Sequence, residues 1–254
     1  KFFIITNKYM YFIANWKMYG DLKSIKTLNK VIKFTKSYKN NKYKLVYCPP
    51  FTLLSSFSNK LRKTNIDIGA QNCHHSENYG AFTGSINSKM LKNIGANYII
   101  IGHSENRTEG ETNKLINKKI KNVLKNKLKV IFCIGETLTE RKNKKTYRVL
   151  TNQILSGLKN INKLSNIIIA YEPVWSIGTG IIPNSKELLK NINFIKSLIK
   201  TKLKYKSPKI LYGGSVNQKN ISDLKKIAII DGFLIGGASQ NAKKFIDIVK
   251  KTFN

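Results

Sequence analysis

Eight short apolar segments alternate along the chain with longer amphipathic ones, and this alternation constrains the fold more than any other feature. The apolar segments are rich in Ile, Val and Tyr and are hydrophobic at nearly every position, a pattern typical of strands that are covered on both faces. We therefore predict a strand at each of them. The segments are Tyr11–Asn15, Lys44–Cys48, Ile66–Ala70, Tyr98–Ile101, Lys129–Ile134, Ile167–Tyr171, Lys209–Tyr212 and Gly232–Ile235.

The segments between the strands are typical of amphipathic helices. Leu188, Ile192, Ile195 and Ile199, for example, share one helical face, with lysines on the opposite side. Eight strand–helix units in 254 residues suit a (β/α)₈ barrel, in which helices surround eight parallel strands and which typically has about 250 residues. An open, doubly wound sheet shares this alternation, and periodicity alone does not separate the two architectures.

The length and the absence of a linker-like segment predict a single domain. We assign the barrel to residues 10–254 and interpret residues 1–9 as a disordered N-terminal extension or a misassigned start. No apolar run approaches the ~20 residues of a membrane-spanning helix, so we expect no membrane association. The three cysteines are widely spaced and suit reduced thiols in a cytoplasmic enzyme.

The chain is strongly basic, with 46 Lys and Arg residues against 13 Asp and Glu and a formal net charge of +33. Such a surface could bind nucleic acid or an anionic membrane. Only four of the basic residues are arginine, however, although arginine makes the bidentate contacts that nucleic-acid interfaces favour. The lysines are also spread along the whole chain. We therefore attribute the charge to a bias towards AT-rich codons and do not expect a nucleic-acid partner.

Polar side chains follow several predicted strands, at the end where the active sites of parallel barrels lie. Asn15 and Lys17 follow the first strand, His103 and Glu105 follow the fourth, and Glu172 follows the sixth. Glu172 could be a general base or simply the partner of a lysine. His103 could be an ordinary strand-end histidine, but a helix is predicted to begin nearby and its N-terminus disfavours the imidazolium, so we predict a neutral hydrogen-bond donor.

Small residues follow the last two strands, at 213–215 and 236–239, and 178–180 reads Gly-Thr-Gly. Backbone N–H groups in such turns can approach an anion closely, and a helix N-terminus adds its dipole. Ordinary turn chemistry is the alternative. Two such turns on consecutive strands favour a phosphate site. A carboxylate, a neutral donor, a cation and a phosphate cradle together describe a site for enolisation. The adjacent Cys73-His74-His75 cannot easily converge on one metal, so we expect no metal site.

Six motifs resemble those of the triosephosphate isomerase family in order and spacing. They are N-x-K from Asn15, GHSE-x-R from Gly102, CIGET from Cys133, YEPVW-x-IGTG from Tyr171, YGGSV from Tyr212 and DGFLIGGAS from Asp231. The match runs from about Tyr11 to Phe253. The resemblance implies a TIM barrel that interconverts dihydroxyacetone phosphate and glyceraldehyde 3-phosphate through an enediolate, with no cofactor and no metal.

The resemblance also implies the residue roles that are established for this family. Glu172 would be the base that moves the proton, His103 would polarise the carbonyl, and Lys17 would stabilise negative charge. Asn15 would orient the substrate, and Glu105 would support the site beside Lys17. Backbone N–H groups would bind the phosphate, and they belong to Gly178, Ser215, Gly236 and Gly237.

A homodimer is a further implication, with the loop 71–85 reaching into the partner and Thr83 near the partner's site. Three positions depart from the family pattern. Ser85 replaces the usual acid and Asn106 replaces the usual second arginine, so an ion pair is lost. We expect this loss to affect the strength of the dimer and not the chemistry. The resemblance also implies that Ser176–Gly180 forms a lid that protects the enediolate. The third departure is Ile181-Ile182-Pro183 at the trailing hinge of this lid, where we expect altered lid kinetics.

Overall fold

Eight parallel strands form a closed barrel in which each strand pairs with its neighbours in chain order and β8 pairs with β1. The computed structural model describes residues 9–40, 42–206 and 208–254. The strands are β1 Met10–Asn15, β2 Tyr43–Cys48, β3 Asp67–Ala70, β4 Tyr98–Ile101, β5 Lys129–Ile134, β6 Ile167–Tyr171, β7 Lys209–Tyr212 and β8 Gly232–Ile235. Closure of the sheet confirms the predicted (β/α)₈ barrel and excludes the open sheet.

The predicted strands differ from the observed ones by one residue at the start of β1, β2 and β3. The difference at β3 has a local cause. The backbone N–H of Ile66 donates to the Thr64 hydroxyl at 3.2 Å and is therefore not available to the strand ladder. Gly232 allows the sheet to close, because a Cβ atom there would lie 2.2 Å from the Tyr11 carbonyl oxygen on β1.

Ten α-helices are found among the described residues, and they surround the strands. They are α1 Thr27–Ser37, α2 Phe51–Leu61, α3 Ser88–Asn93, α4 Ser104–Thr108, α5 Asn113–Lys125, α6 Leu138–Lys142, α7 Thr146–Gly157, α8 Ser185–Lys202, α9 Ile221–Leu224 and α10 Ala242–Phe253. Short 3₁₀ turns cover Leu22–Lys26, Val174–Ser176 and Gly237–Gln240. None of the helices in the described part of the chain has both the length and the apolar character that a membrane span requires.

Two apolar layers account for the nearly continuous hydrophobicity of the strands. One set of strand side chains, including Ile13, Ile100 and Leu211, packs inside the barrel. The alternate set packs against the helices, where the predicted face of α8 is fully buried at Leu188 and Ile192. The predicted extension over 1–9 lies, except for Tyr9, outside the described residues, and the single domain over 10–254 stays a prediction.

Candidate active site

A cavity of about 490 Å³ opens at the carboxyl ends of the strands. The fold brings eight of the nine predicted site residues to its wall, namely Asn15, Lys17, His103, Glu172, Gly178, Ser215, Gly236 and Gly237. The ninth, Glu105, contacts Lys17 beside the cavity. These residues lie at the ends of five different strands or in the loops that follow them, so their convergence is a property of the closed barrel and not of the local sequence.

Glu172 directly follows β6 and is only 3% exposed. Its backbone N–H donates to the Ile134 carbonyl at 2.8 Å, which fixes the carboxylate relative to β5. One carboxylate oxygen, Oε2, has no hydrogen-bond partner among the described residues. Burial raises the pKa of Glu172, and His103, the Cys133 thiol and Lys17 only partly offset that effect. A buried carboxylate with a raised pKa is a stronger base than an exposed one once it is ionised.

His103 caps the N-terminus of α4, and its side chain is 4% exposed. Its Nδ1 atom accepts the backbone N–H of Glu105 at 3.3 Å. A ring nitrogen that accepts a hydrogen bond carries no proton, so this contact favours the neutral tautomer with the proton on Nε2. Nε2 lies 3.5 Å from Oε1 of Glu172 and on the wall of the cavity. The arrangement can therefore present an N–H donor beside a base.

Lys17 has a left-handed backbone, with φ of +56°. Two contacts stabilise this conformation: its N–H donates to Oδ1 of Asn15 at 3.2 Å, and its carbonyl accepts from Nε2 of Gln71 at 2.9 Å. Its ammonium lies 2.5 Å from Oε1 of Glu105. The Glu105 side chain is 55% exposed, so this ion pair contributes little stability and mainly orients the ammonium towards the cavity.

The glycine-rich turns after β7 and β8 line the same cavity. The helix contribution predicted there is smaller than expected. The turn after β8 leads into the 3₁₀ turn Gly237–Gln240, and α9 begins only at Ile221, well after β7. Backbone N–H groups, and not a helix dipole, are therefore the main anion-binding feature at this end, and one of them, that of Ser215, makes a long hydrogen bond of 3.4 Å to Oγ of Ser176.

Comparisons with known proteins agree with this geometry. The triosephosphate isomerase family model matches residues 10–252. The triosephosphate isomerase of Endomicrobium trichonymphae is 40% identical over 93% of this chain and 96% of its own, and that of Dictyoglomus turgidum is 43% identical over 93% and 97%. The crystal structure of triosephosphate isomerase from Bartonella henselae matches with a TM-score of 0.88 and 35% identity, covering 96% of this chain and 99% of that chain.

The chain belongs to the triosephosphate isomerase family. Its predicted activity, the interconversion of dihydroxyacetone phosphate and glyceraldehyde 3-phosphate, is thereby confirmed.

The segment 176–181 of this triosephosphate isomerase family member lines the cavity at Ile177, Gly178 and Gly180, and hydrogen bonds hold it at both ends. The Ser176 hydroxyl lies 2.6 Å from the carbonyl of Ile181 and 2.9 Å from the hydroxyl of Tyr212. The N–H of Gly180 donates to Oγ of Ser215 at 3.0 Å. Each of these contacts uses a side-chain hydroxyl, which rotation about one bond can move away.

Glu136 anchors the leading side of this segment and was not identified from the sequence. Its fully buried carboxylate accepts hydrogen bonds from the Trp175 indole at 3.0 Å and from the Tyr171 hydroxyl at 3.1 Å. Burial raises the pKa of Glu136, and those two donors only partly offset it. Arg141 lies 4.3 Å from the Trp175 ring and pairs with Glu187 at 2.8 Å. The available signal was that Glu136 lies in the CIGET motif, just after a predicted strand, in a chain with only 13 acidic residues.

Lys244 and Asn217 also line the cavity, near the glycine turns. Sequence reasoning missed both. Lys244 lies in the first turn of α10, and its backbone N–H donates to the Asn241 side chain at 3.1 Å. No pattern distinguished it from the other lysines, since its position at the cavity depends on how α10 packs.

Proposed function

We propose that Glu172 is the general base of the isomerisation and that His103, Lys17 and the glycine turns complete the site. The observation that carries this proposal is the pair formed by Glu172 and His103. Both side chains are buried, their Oε1 and Nε2 atoms lie 3.5 Å apart, and both face one cavity with Lys17. A substrate carbon and its carbonyl oxygen could contact both groups at the same time.

In this mechanism Glu172 removes a proton from the carbon next to the carbonyl and returns it to the neighbouring carbon. The Nε2–H of His103 donates to the carbonyl oxygen as negative charge develops there. The ammonium of Lys17, oriented by Glu105, stabilises the enediolate oxygen, and the Asn15 amide orients the substrate. Preorganised donors of this kind stabilise charge at little reorganisation cost because they are already in place.

The substrate phosphate binds to backbone N–H groups at the other end of the cavity, and these belong to Gly178, Ser215, Gly236 and Gly237. Ser215 now accepts the N–H of Gly180, so phosphate binding and closure of the segment 176–181 share a residue. We infer that the bound phosphate draws this segment inwards, which excludes water from the enediolate.

We further propose a homodimer formed through the loop 71–85, with Thr83 near the partner's site. The loop exposes two aromatic side chains, Tyr79 at 59% and Phe82 at 48%, and exposed apolar surface of this kind is typical of an interface. The lost pairing at Ser85 and Asn106 and the high net charge both oppose association, so chloride, which screens repulsion, should tighten the dimer. Sedimentation equilibrium from 0.02 to about 0.5 M NaCl tests this; a dimer that weakens with salt contradicts it.

A cytoplasmic location is also part of the proposal. Its support is the state of the cysteines: Cys48, Cys73 and Cys133 are all free and buried. A reducing compartment keeps thiols in this form.

The experiment that tests the residue roles is proton exchange with solvent. In D₂O, Glu172→Gln should lose both isomerisation and deuterium incorporation into substrate, because no proton leaves carbon. His103→Gln should slow both reactions less. Glu109→Gln changes an exposed glutamate and serves as the control. Deuterium incorporation by Glu172→Gln at the parent rate would show that another group is the base.

A further inference from the structure

A second cavity, of about 820 Å³, lies at the amino-terminal end of the barrel, opposite the candidate active site. Its wall includes the first residues of β5, β6 and β7, together with Tyr11 near the start of β1. The loops that precede β6 and β7 contribute 162–166, 205–206 and Pro208, and Lys196 of α8 and Asp231 before β8 complete it. We refer to it as the lower cavity. The isomerase reaction uses none of its residues.

The lower cavity concentrates positive charge. Five lysines line it against one carboxylate, that of Asp231, and they are Lys129, Lys163, Lys196, Lys206 and Lys209. They come from four separate segments of the chain, so the fold and not a basic sequence run brings them together. Asp231 already accepts two hydrogen bonds, from the Ile210 N–H at 2.9 Å and from the Lys209 ammonium at 3.4 Å.

Three of these cations have no carboxylate within ion-pair distance among the described residues, and they are Lys129, Lys163 and Lys206. Lys129 is held in place by a neutral group. Its ammonium donates to the Tyr98 hydroxyl at 3.2 Å and lies 5.0 Å from the centre of that ring, and Tyr98 is fully buried. The cation is thus oriented at the cavity without being neutralised.

The high lysine content of the chain is the ordinary explanation for such a cluster. It does not account for how the cations are held. Another cavity, of about 530 Å³, also gathers five cations against one carboxylate, Glu187, but those cations lie on α6, on α8 and in the turn that follows α6. In the lower cavity, Lys129 and Lys209 are instead the first residues of β5 and β7, so the barrel itself fixes their backbone. Like charges gathered in one concavity repel each other, and a bound anion would relieve that repulsion.

We propose that the lower cavity binds a compact polyphosphate, either inorganic or the phosphate tail of a nucleotide. Several ammonium groups around one open concavity match an anion that carries several charges within a short span. An extended nucleic-acid strand fits less well, because no arginine lines the cavity and its Tyr205 ring is partly buried against the core. The proposal does not depend on the assigned catalytic roles, since the two cavities lie at opposite ends of the barrel.

The test is calorimetric titration of the protein with sodium tripolyphosphate in 0.1 M NaCl. The variant Lys163→Gln/Lys206→Gln removes two exposed cations of the lower cavity. The control Lys30→Gln/Lys33→Gln removes two exposed cations from α1, so both variants have the same net charge. We expect the cavity variant to bind at least about tenfold more weakly, the effect of losing charge-assisted contacts at exposed sites. The control should stay within about twofold of the parent. Both variants should keep the parental isomerase activity.

Three results would overturn the proposal. Equal weakening in both variants would show that tripolyphosphate responds only to overall charge. Tripolyphosphate inhibition of the isomerase with a constant equal to the calorimetric Kd, unchanged by the cavity variant, would place binding in the active site. A single-stranded oligonucleotide that binds more tightly than tripolyphosphate, and whose binding is lost in the cavity variant, would indicate a nucleic-acid surface.

Titration with ATP distinguishes the two sources of the polyphosphate. ATP that binds as tightly as tripolyphosphate supports a nucleotide ligand, and weaker ATP binding supports an inorganic polyphosphate.

Discussion

Replacing Glu172 by glutamine should make the protein inactive and more stable at the same time. Glutamine keeps the shape of the side chain but removes its charge and its basicity. A general base contributes ~10²–10⁴-fold to the rate, so kcat should fall by at least about 10². The kcat/KM of the parent should also fall at low pH, with a midpoint above the ordinary carboxyl pKa of 4.5, because burial raises the pKa of Glu172.

The expected gain in stability follows from the same burial. Oε2 of Glu172 is a buried acceptor without a partner among the described residues, and burying a charged group in this way costs more than burying the neutral amide of glutamine, by about 1–3 kcal/mol. The size of this stability penalty depends on pH. Below pH 4.5 the carboxyl is protonated in both the folded and the unfolded chain, so it carries no penalty. Between pH 4.5 and the raised folded-state pKa, the carboxyl ionises in the unfolded chain but stays protonated in the folded one, which favours unfolding. Above the folded-state pKa the folded chain holds a buried charge and the penalty is complete. The stability advantage of Glu172→Gln should therefore grow with pH.

Urea unfolding of the parent and of Glu172→Gln at pH 5 and pH 8 measures both free energies of unfolding. We expect the difference between the two proteins to be about 1–3 kcal/mol at pH 8 and smaller at pH 5. Glu109→Gln should show no such difference, because that side chain is exposed. A Glu172→Gln protein that is less stable than the parent at pH 8 would refute the claim that burial dominates at this carboxylate, and kcat within tenfold of the parent would refute its role as base.

Three further predictions concern the rest of the site. Gly213→Ala should lower kcat by about 10², because the new Cβ would lie 2.6 Å from Cγ of Glu172 and force the base to move by about 1 Å; initial rates at saturating substrate measure this, and unchanged kcat contradicts it. Deleting Ile177–Thr179 should lower turnover and raise the yield of methylglyoxal per turnover, since an uncovered enediolate can eliminate phosphate; an unchanged product ratio contradicts the lid. Lys244→Gln should raise KM about threefold to tenfold with little change in kcat, because it removes one exposed charge near the glycine turns that bind the phosphate. Lys243→Gln changes the neighbouring lysine, which lies outside the cavity, and should leave KM unchanged. Equal effects of the two substitutions would show that the location of Lys244 at the cavity does not matter.

The strands were predictable because their environment leaves a direct trace in the sequence. A strand covered on both faces must be apolar throughout, and the bounds predicted for β4 to β8 agree with the observed ones. The short helices α3, α6 and α9 left no such trace, since a single turn has too few residues to show a period. The choice between a closed and an open sheet also depends on contacts between β1 and β8, which are remote in sequence.

Most of the predicted site residues lie at or just after the end of a strand. Glu172 and His103 could be placed for that reason, and their mutual distance follows from the barrel. Glu136 and Lys244 were missed because their roles depend on side-chain packing between distant segments. The tautomer of His103 rests on one backbone contact to Glu105, and no sequence pattern specifies which ring nitrogen accepts it.

Because the backbone of Lys17 is left-handed, folding stability and catalysis favour different residues at position 17. A side chain in this conformation costs of order 1 kcal/mol, and glycine would adopt it without that cost. In a library of all substitutions at position 17, the residue that is enriched should therefore depend on the property that is selected. Selection for heat resistance should enrich glycine, whereas selection for growth on a three-carbon source should retain lysine. Ancestral or consensus design that optimises folding energy alone would thus tend to remove the ammonium, and residue 17 is one that a stabilisation campaign should hold fixed.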